Sequence, residues 1–405
     1  LGGSLGDSLG GSLGDSLGGS LGDSLGGSLG DSLGDSCTAF DISSLTKCLS
    51  NYGVITVSGT ITISAETFTI PTEKTVNILN NSGFYITSDA SFINNGHIIA
   101  NNISETHDSL KNSIIYNEGD FYNGDDGSGT IDINLSGGSG NWGIYNGGDF
   151  YNGSYYGSAA GTIDISLNGG SGNQGIYNVY GYFYNGSYSG TAPGTIDISL
   201  NGGTGNWGIL FYGGNFYNGS YQGSDTAIGT ITTTMKDGTG NWGIYYNAGS
   251  FYNCSHDGSA AGTITTTMKG GYGNYGIYYL YGDFYNGSDG SGTAPGTITT
   301  TMKDGSGNRG IYSSYGGHFY NGYDGSGTID IILNGGSGNW GIYNDDYFYN
   351  GSYSGTAPGT IDISLNGGTG NWGIYNYEYF YNGYYDASGL ITITTSDSNN
   401  YAGCD

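Results

Sequence analysis

The residues of this 405-residue chain with chemistry to offer are few and widely spread. Aspartates recur at one point of a repeat: Asp132, Asp164 and Asp197 in succession, then Asp330 and Asp362, with Thr232, Thr265 and Thr299 in that place between the blocks. Carboxylates stacked at strand spacing repel one another, and Ca2+ or solvation could relieve the repulsion. Calcium prefers several clustered oxygens, however, and a single file is a poor cage. The only arginine is Arg309, and His97, His107, His256 and His318 are scattered. Acid–base catalysis needs titratable groups converging within hydrogen-bond reach. No nucleophile elbow, zinc-ligand spacing or phosphate loop occurs either, so we expect no enzyme, no metal site and no cofactor.

Asparagine and cysteine offer modification chemistry instead. Asn80, Asn102, Asn134, Asn152, Asn185, Asn218, Asn253, Asn286 and Asn350 each begin an Asn-x-Ser/Thr triplet. The last six follow Phe-Tyr and precede Gly or Cys and then Ser. In a secretory compartment each is a glycosylation candidate; equally, Asn-Gly is a favoured turn and Ser a favoured follower. Of four cysteines, Cys37 and Cys48 suit a local bridge. Cys254 and Cys404 would join only if the tail folded back or two chains met. Either pairing favours an oxidising, extracellular setting.

Aromatic residues recur with the same regularity. Phe-Tyr-Asn supplies Tyr122, Tyr151, Tyr184, Tyr217, Tyr252, Tyr285, Tyr320, Tyr349 and Tyr381. Gly-Asn-x-Gly carries Trp142, Trp207, Trp242, Trp340 and Trp372, with Gln174, Tyr275 and Arg309 at the same position of other repeats. Stacked in successive turns, these side chains would form ladders that stabilise a sheet or offer a contact surface for sugar rings or a second subunit.

The elements that position these residues follow from the period. Gly-Thr-Ile, Gly-Ile-Tyr and Phe-Tyr-Asn recur every 29 to 35 residues from about Tyr116 to Ile393, each within a short run of alternating apolar and polar residues. Three strands per repeat, too few inward apolar residues for one repeat to fold alone, and glycine or asparagine at every corner predict an all-β, three-sided parallel β-solenoid of about twelve coils. A β-propeller blade needs a fourth, antiparallel strand, which the repeat lacks. Residues 51–115 alternate in the same manner without the motif and are expected to form irregular first coils. Residues 37–50, CTAFDISSLTKCLS, carry an approximate helical stripe suited to capping an end. Residues 394–405 form a tail with no evident capping helix. Residues 1–36 are tandem LGGS and LGDS, either a flexible linker or an extended arm or stalk.

Composition narrows the partners. With 7 Lys plus Arg against 34 Asp plus Glu, the net charge is −27, which disfavours nucleic acid and anionic membrane surfaces. No apolar run is long enough to span a bilayer. The chain opens in mid-repeat and is read as a mature or truncated product.

The Asn-Gly-rich runs INNGHIIANN and IYNEGDFYNG resemble the parallel β-helix of adhesin-like surface proteins, and the N-terminal arm resembles the short-peptide-repeat backbones of glycan-coated extracellular fibrils. The resemblance implies an extracellular structural subunit that self-associates through its arm and solenoid ends and carries glycans. The alternative is an adhesin that binds carbohydrate on its Tyr and Trp faces.

Overall fold

The computed structural model describes residues 36–106, 112–222, 227–288, 293–353, 356–383 and 386–403. The arm lies outside them except for Ser36. The chain is a nearly all-β parallel solenoid with three ladders of strands. The first, the GTI face, is a sheet of 13 strands that starts at Ser36–Ala39, Val54–Val57, Thr75–Ile78 and His97–Ile103, and then takes one strand per repeat from Gly129–Ser136 to Gly389–Thr395. The GIY face runs from Thr60–Ile63 to Trp372–Asn376, and the FYN face from Thr67–Ile70 to Tyr379–Asn382. Two continuous strands, Arg309–Asn321 and Trp340–Asn350, turn the corner between the GIY and FYN faces and take part in both ladders. About nine turns are regular, where twelve coils in all were expected; the irregular N-terminal strands bring the GTI sheet to 13.

Register is residue for residue: Gly161 pairs with Gly194, Ile163 with Ile196, Phe150 with Phe183. Strand alternation then sends Ile163, Ile165 and Leu167 inward, each at most 2% exposed, and turns Thr162, Asp164 and Ser166 outward. Inside, the phenylalanines of Phe-Tyr-Asn form a continuous stack from Phe121 to Phe380, with centroids 4.6 to 4.9 Å apart. Each ring gains about 1.5–3 kcal/mol from burial and about 0.5–1.5 kcal/mol more from stacking.

A second internal column is polar. The Asn of Phe-Tyr-Asn turns into the rod, where Asn123, Asn152, Asn185, Asn218, Asn253, Asn286, Asn321 and Asn350 each donate from Nδ2 to the Oδ1 of the next turn at 2.7–2.8 Å. Each of these amides also donates to a carbonyl of a GTI strand, as Asn218 does to Thr263 at 3.0 Å. The glycine that opens the GTI strand makes room for this column. A Cβ on Gly194 would lie 2.6 Å from Asn185 Oδ1 and 2.4 Å from backbone. Another column satisfies the Gly-Asn-x-Gly corner, where the backbone N–H of Asn206 donates to Asn241 Oδ1 at 2.9 Å, and so on along the rod.

The N-terminal end is closed by helix α1 (Ile42–Asn51), which starts at a reciprocal capping box of Asp41 and Ser44. Leu45, Cys48 and Leu49 are buried in the core. The helix stands between the first two GTI strands, where later turns place their GIY and FYN strands. A Cys37–Cys48 disulfide, the local bridge expected, ties it to the first strand.

Candidate functional site

Of the two readings of the Phe-Tyr-Asn tyrosines, a stacked ladder or an open contact surface, the FYN face has the geometry of the first. Tyr151, Tyr184, Tyr217, Tyr252, Tyr285, Tyr320 and Tyr349 do stack, at 4.8–5.1 Å, but none is more than 8% exposed. In several turns the loop after Phe-Tyr-Asn folds back and lays a second row over them edge-on: Tyr155 on Tyr151, Tyr221 on Tyr217, His256 on Tyr252, Tyr353 on Tyr349. The result is a second, external core. Tyr122 and Tyr381, at its two ends, remain partly open. Burial is the main cause that holds the phenols of Tyr151, Tyr184, Tyr217 and Tyr320 well above the ordinary value. The covering aromatics stand three or four residues after the Tyr they cover, a spacing that was open to reading in the sequence.

The same geometry corrects the six glycosylation candidates Asn152, Asn185, Asn218, Asn253, Asn286 and Asn350. All are fully buried, with both Nδ2 hydrogens donated inside the rod. An N-linked glycan replaces one of those hydrogens and has no path to solvent. Asn80 and Asn102 are exposed, and Asn134 is half-buried with its Oδ1 accepting from Asn168. Cys254 is buried beside the covered tyrosines; the suggested pairing with Cys404 involves a residue outside those described.

On the GTI face Asp132, Asp164 and Asp197 lie in register, as do Asp330 and Asp362. Partial burial, then the neighbouring Asp132 and Asp197, raises the Asp164 carboxyl above its ordinary value. His97 closes the file with Nε2 2.7 Å from Asp132. The other described histidines also meet carboxylates, His256 at Asp257 and His318 at Asp283. His107 is outside the described residues. Among the described residues no three His, Cys, Asp or Glu side chains converge as a metal ion requires.

The accessible aromatic surface is the GIY face. One column runs Trp142, Gln174, Trp207, Trp242, Tyr275, Arg309, Trp340, Trp372; beside it runs a second that includes Tyr245, Tyr278, Tyr312, Tyr343 and Tyr375. All five tryptophans are half-buried. Trp207 and Trp242 stack at 5.1 Å, and Trp242 and Tyr275 at 5.8 Å. Rings stacked in this way cover one another's faces and present edges to solvent. Arg309 interrupts the column. Its guanidinium carbon lies 5.0 Å from the Tyr275 ring centroid and 4.7 Å from that of Trp340, with Tyr312 and Tyr343 alongside. Nη1 donates to the Tyr275 hydroxyl at 2.7 Å. Nε is buried without a hydrogen-bond partner, and among the described residues no carboxylate forms an ion pair with the side chain.

A cavity of about 330 Å³ opens at this point, between the aromatic column and the corner residues Thr239, Tyr272 and Gly307. Gly240 and Gly273 line it with φ of +60° and +63°, a backbone conformation that favours glycine. No protein-family model, curated protein or solved structure matches the chain. What stands of the expected resemblance is the parallel β-solenoid itself.

Proposed function

We propose that the protein is a structural subunit of a secreted extracellular filament or surface fibre, with no enzymatic role. The observation that carries this reading is the residue-for-residue register of three parallel ladders, shifted at only two of the described pairings. Such register makes a stiff rod, about 55–60 Å long at strand spacing. Outward side chains on two of the faces serve stacking among themselves. The Cys37–Cys48 bridge favours an oxidising compartment, and no helix among the described residues is long and apolar enough to cross a membrane.

Assembly is polar in this reading. Helix α1 covers one end, whereas the last GTI strand carries Leu390 at 58% exposure with Ile391 and Ile393 only partly buried. An arm with leucine at every fourth residue can add to such an edge as a strand, with main-chain hydrogen bonds giving affinity. Glycans, where present, sit at Asn80 or Asn102. Electron microscopy of native protein beside a version lacking residues 1–36 tests this: filaments should vanish with the arm. Isolated rods of roughly 6 nm in both samples would overturn it.

The half-exposed GIY face favours a second reading, an adhesin that binds carbohydrate. An adhesin would bind glycans with or without the arm.

A further inference from the structure

We propose that the cavity at Arg309 is a subsite for the carboxylate of an acidic sugar. The inference deepens the carbohydrate-contact reading; assembly through the arm does not depend on it.

Three observations converge. First, Arg309 is the only arginine in a chain of net charge −27, and it stands in an aromatic column rather than among the aspartates. A cation used only for solubility or for ion pairing has no reason to be there. Second, only one hydrogen bond of the guanidinium is made within the described structure, to the Tyr275 hydroxyl. Arginine offers five N–H donors in a planar fork that matches a carboxylate. Buried Nε cannot reach a ligand without a shift, so the remaining hydrogens of the two terminal nitrogens supply the contacts. Third, the cavity of about 330 Å³ lies at the small end of the range for ligand sites and is walled by Trp242, Tyr275 and Trp340.

The walls select the class of ligand. From Trp207 to Tyr275 the rings stack on one another, so a sugar there meets only their edges. At Arg309 a flat cation takes the place of a ring, and Tyr272 stands 63% exposed at the corner opposite. A pyranose can therefore lie against aromatic carbon while its carboxylate meets the guanidinium. Flanking rings also keep the guanidinium planar to the stack and partly desolvated, which strengthens a charge-assisted hydrogen bond. An acidic side chain of a second copy would supply the same charge without using the aromatic walls, so the sugar is favoured.

The test uses the full chain. Tetragalacturonate is titrated and followed by calorimetry and tryptophan emission, beside its methyl ester, which keeps the rings and removes the charge. Arg309→Gln is the informative variant, because Gln174 already occupies this column and the fold accepts it there. Arg309→Trp, again a residue native to the column, gives a second variant should the first be unstable. We expect tetragalacturonate to bind, the ester to bind at least tenfold more weakly, and either variant to lose about tenfold or more, with Arg309→Lys between. Binding should also weaken as salt rises. Equal binding of acid and ester, equal binding by the variants, or no binding by the native protein would each overturn the proposal. A sulfated galactose oligomer that binds while tetragalacturonate does not would overturn the carboxylate assignment. Loss of self-association in Arg309→Gln with sugar binding intact would assign the arginine to a second copy. Neutral glycan binding unaffected by the variants would leave the adhesin reading standing and remove this subsite.

Discussion

Truncating one asparagine of the internal column should cost far more in mid-rod than at its end, although the motif is the same. In mid-rod, Asn218 donates to Asn253 Oδ1 at 2.7 Å and to the Thr263 carbonyl at 3.0 Å, and accepts from Asn185 at 2.8 Å. Asn218→Ala removes three hydrogen bonds, at a net cost of about 1 kcal/mol each. It also leaves the buried Asn253 Oδ1 without the donor that faces it, which adds about 1–3 kcal/mol. Asn185 is spared the full penalty because its amide still reaches the Thr230 carbonyl at 2.9 Å. The expected loss is thus about 4–6 kcal/mol. At the end, Asn382 is exposed and accepts one bond, from Asn350, whose amide keeps the Leu390 carbonyl at 3.1 Å. Asn382→Ala should cost about 1 kcal/mol or less. Urea unfolding followed by circular dichroism measures both losses. Hydrogen exchange then locates the weakened turns, since a solenoid can open by segments. If the two variants lie within about 1 kcal/mol of each other, the column is not a stabilising network and the reasoning fails.

Three further outcomes are expected. Expressed through a secretory pathway that attaches N-linked glycans, the protein should show occupancy by peptide mass spectrometry at Asn80 or Asn102 and none at Asn152, Asn185, Asn218, Asn253, Asn286 or Asn350; folded protein carrying a glycan at any of those six would refute the inward placement. A phenol whose folded pKa is raised stabilises the fold fully below its unfolded value of about 10 and progressively less as pH climbs toward the folded value. Tyr151, Tyr184, Tyr217 and Tyr320 should therefore ionise only as β-structure is lost. Ionisation of these four near 10 with the dichroism unchanged would count against their burial. Thr233→Val replaces a fully buried hydroxyl that has no hydrogen-bond partner with a methyl of similar size, and should raise stability by about 1 kcal/mol in the same urea experiment; a loss of that size would show the hydroxyl to be satisfied.

Much of the fold was legible because each motif names one face. Ile163, Ile165 and Leu167 alternate with Thr162, Asp164 and Ser166, and Phe150 precedes an outward Tyr151, so three strands and their inward sides follow from spacing alone. The asparagines were not legible. Asn-Gly reads as a turn in which the amide faces solvent, and only the absent Cβ of a glycine in another strand, such as Gly194 against Asn185, makes an inward amide possible. That dependence joins residues nine apart around a corner, beyond any local pattern. The covered tyrosines were hidden for a different reason. Alternation places Tyr151 outside the rod, but whether a loop then folds over it depends on where Tyr155 packs. Cys254, which stands at a position other repeats give to Gly, was read through possible pairing, whereas its surroundings are the packed tyrosines. At Arg309 the residue was conspicuous in the sequence as the sole arginine, yet the rings that flank it come from neighbouring turns.

The ladder bonds point along the rod, because the strands run across it. Tension applied end to end therefore falls on all the bonds between two adjacent turns together, and the rod parts at whichever interface holds least. The internal asparagine bonds cross the same interfaces and share that load. Adding or removing whole turns changes the span between the ends and leaves the breaking force where it was, so reach and tensile strength are set by separate features of the sequence.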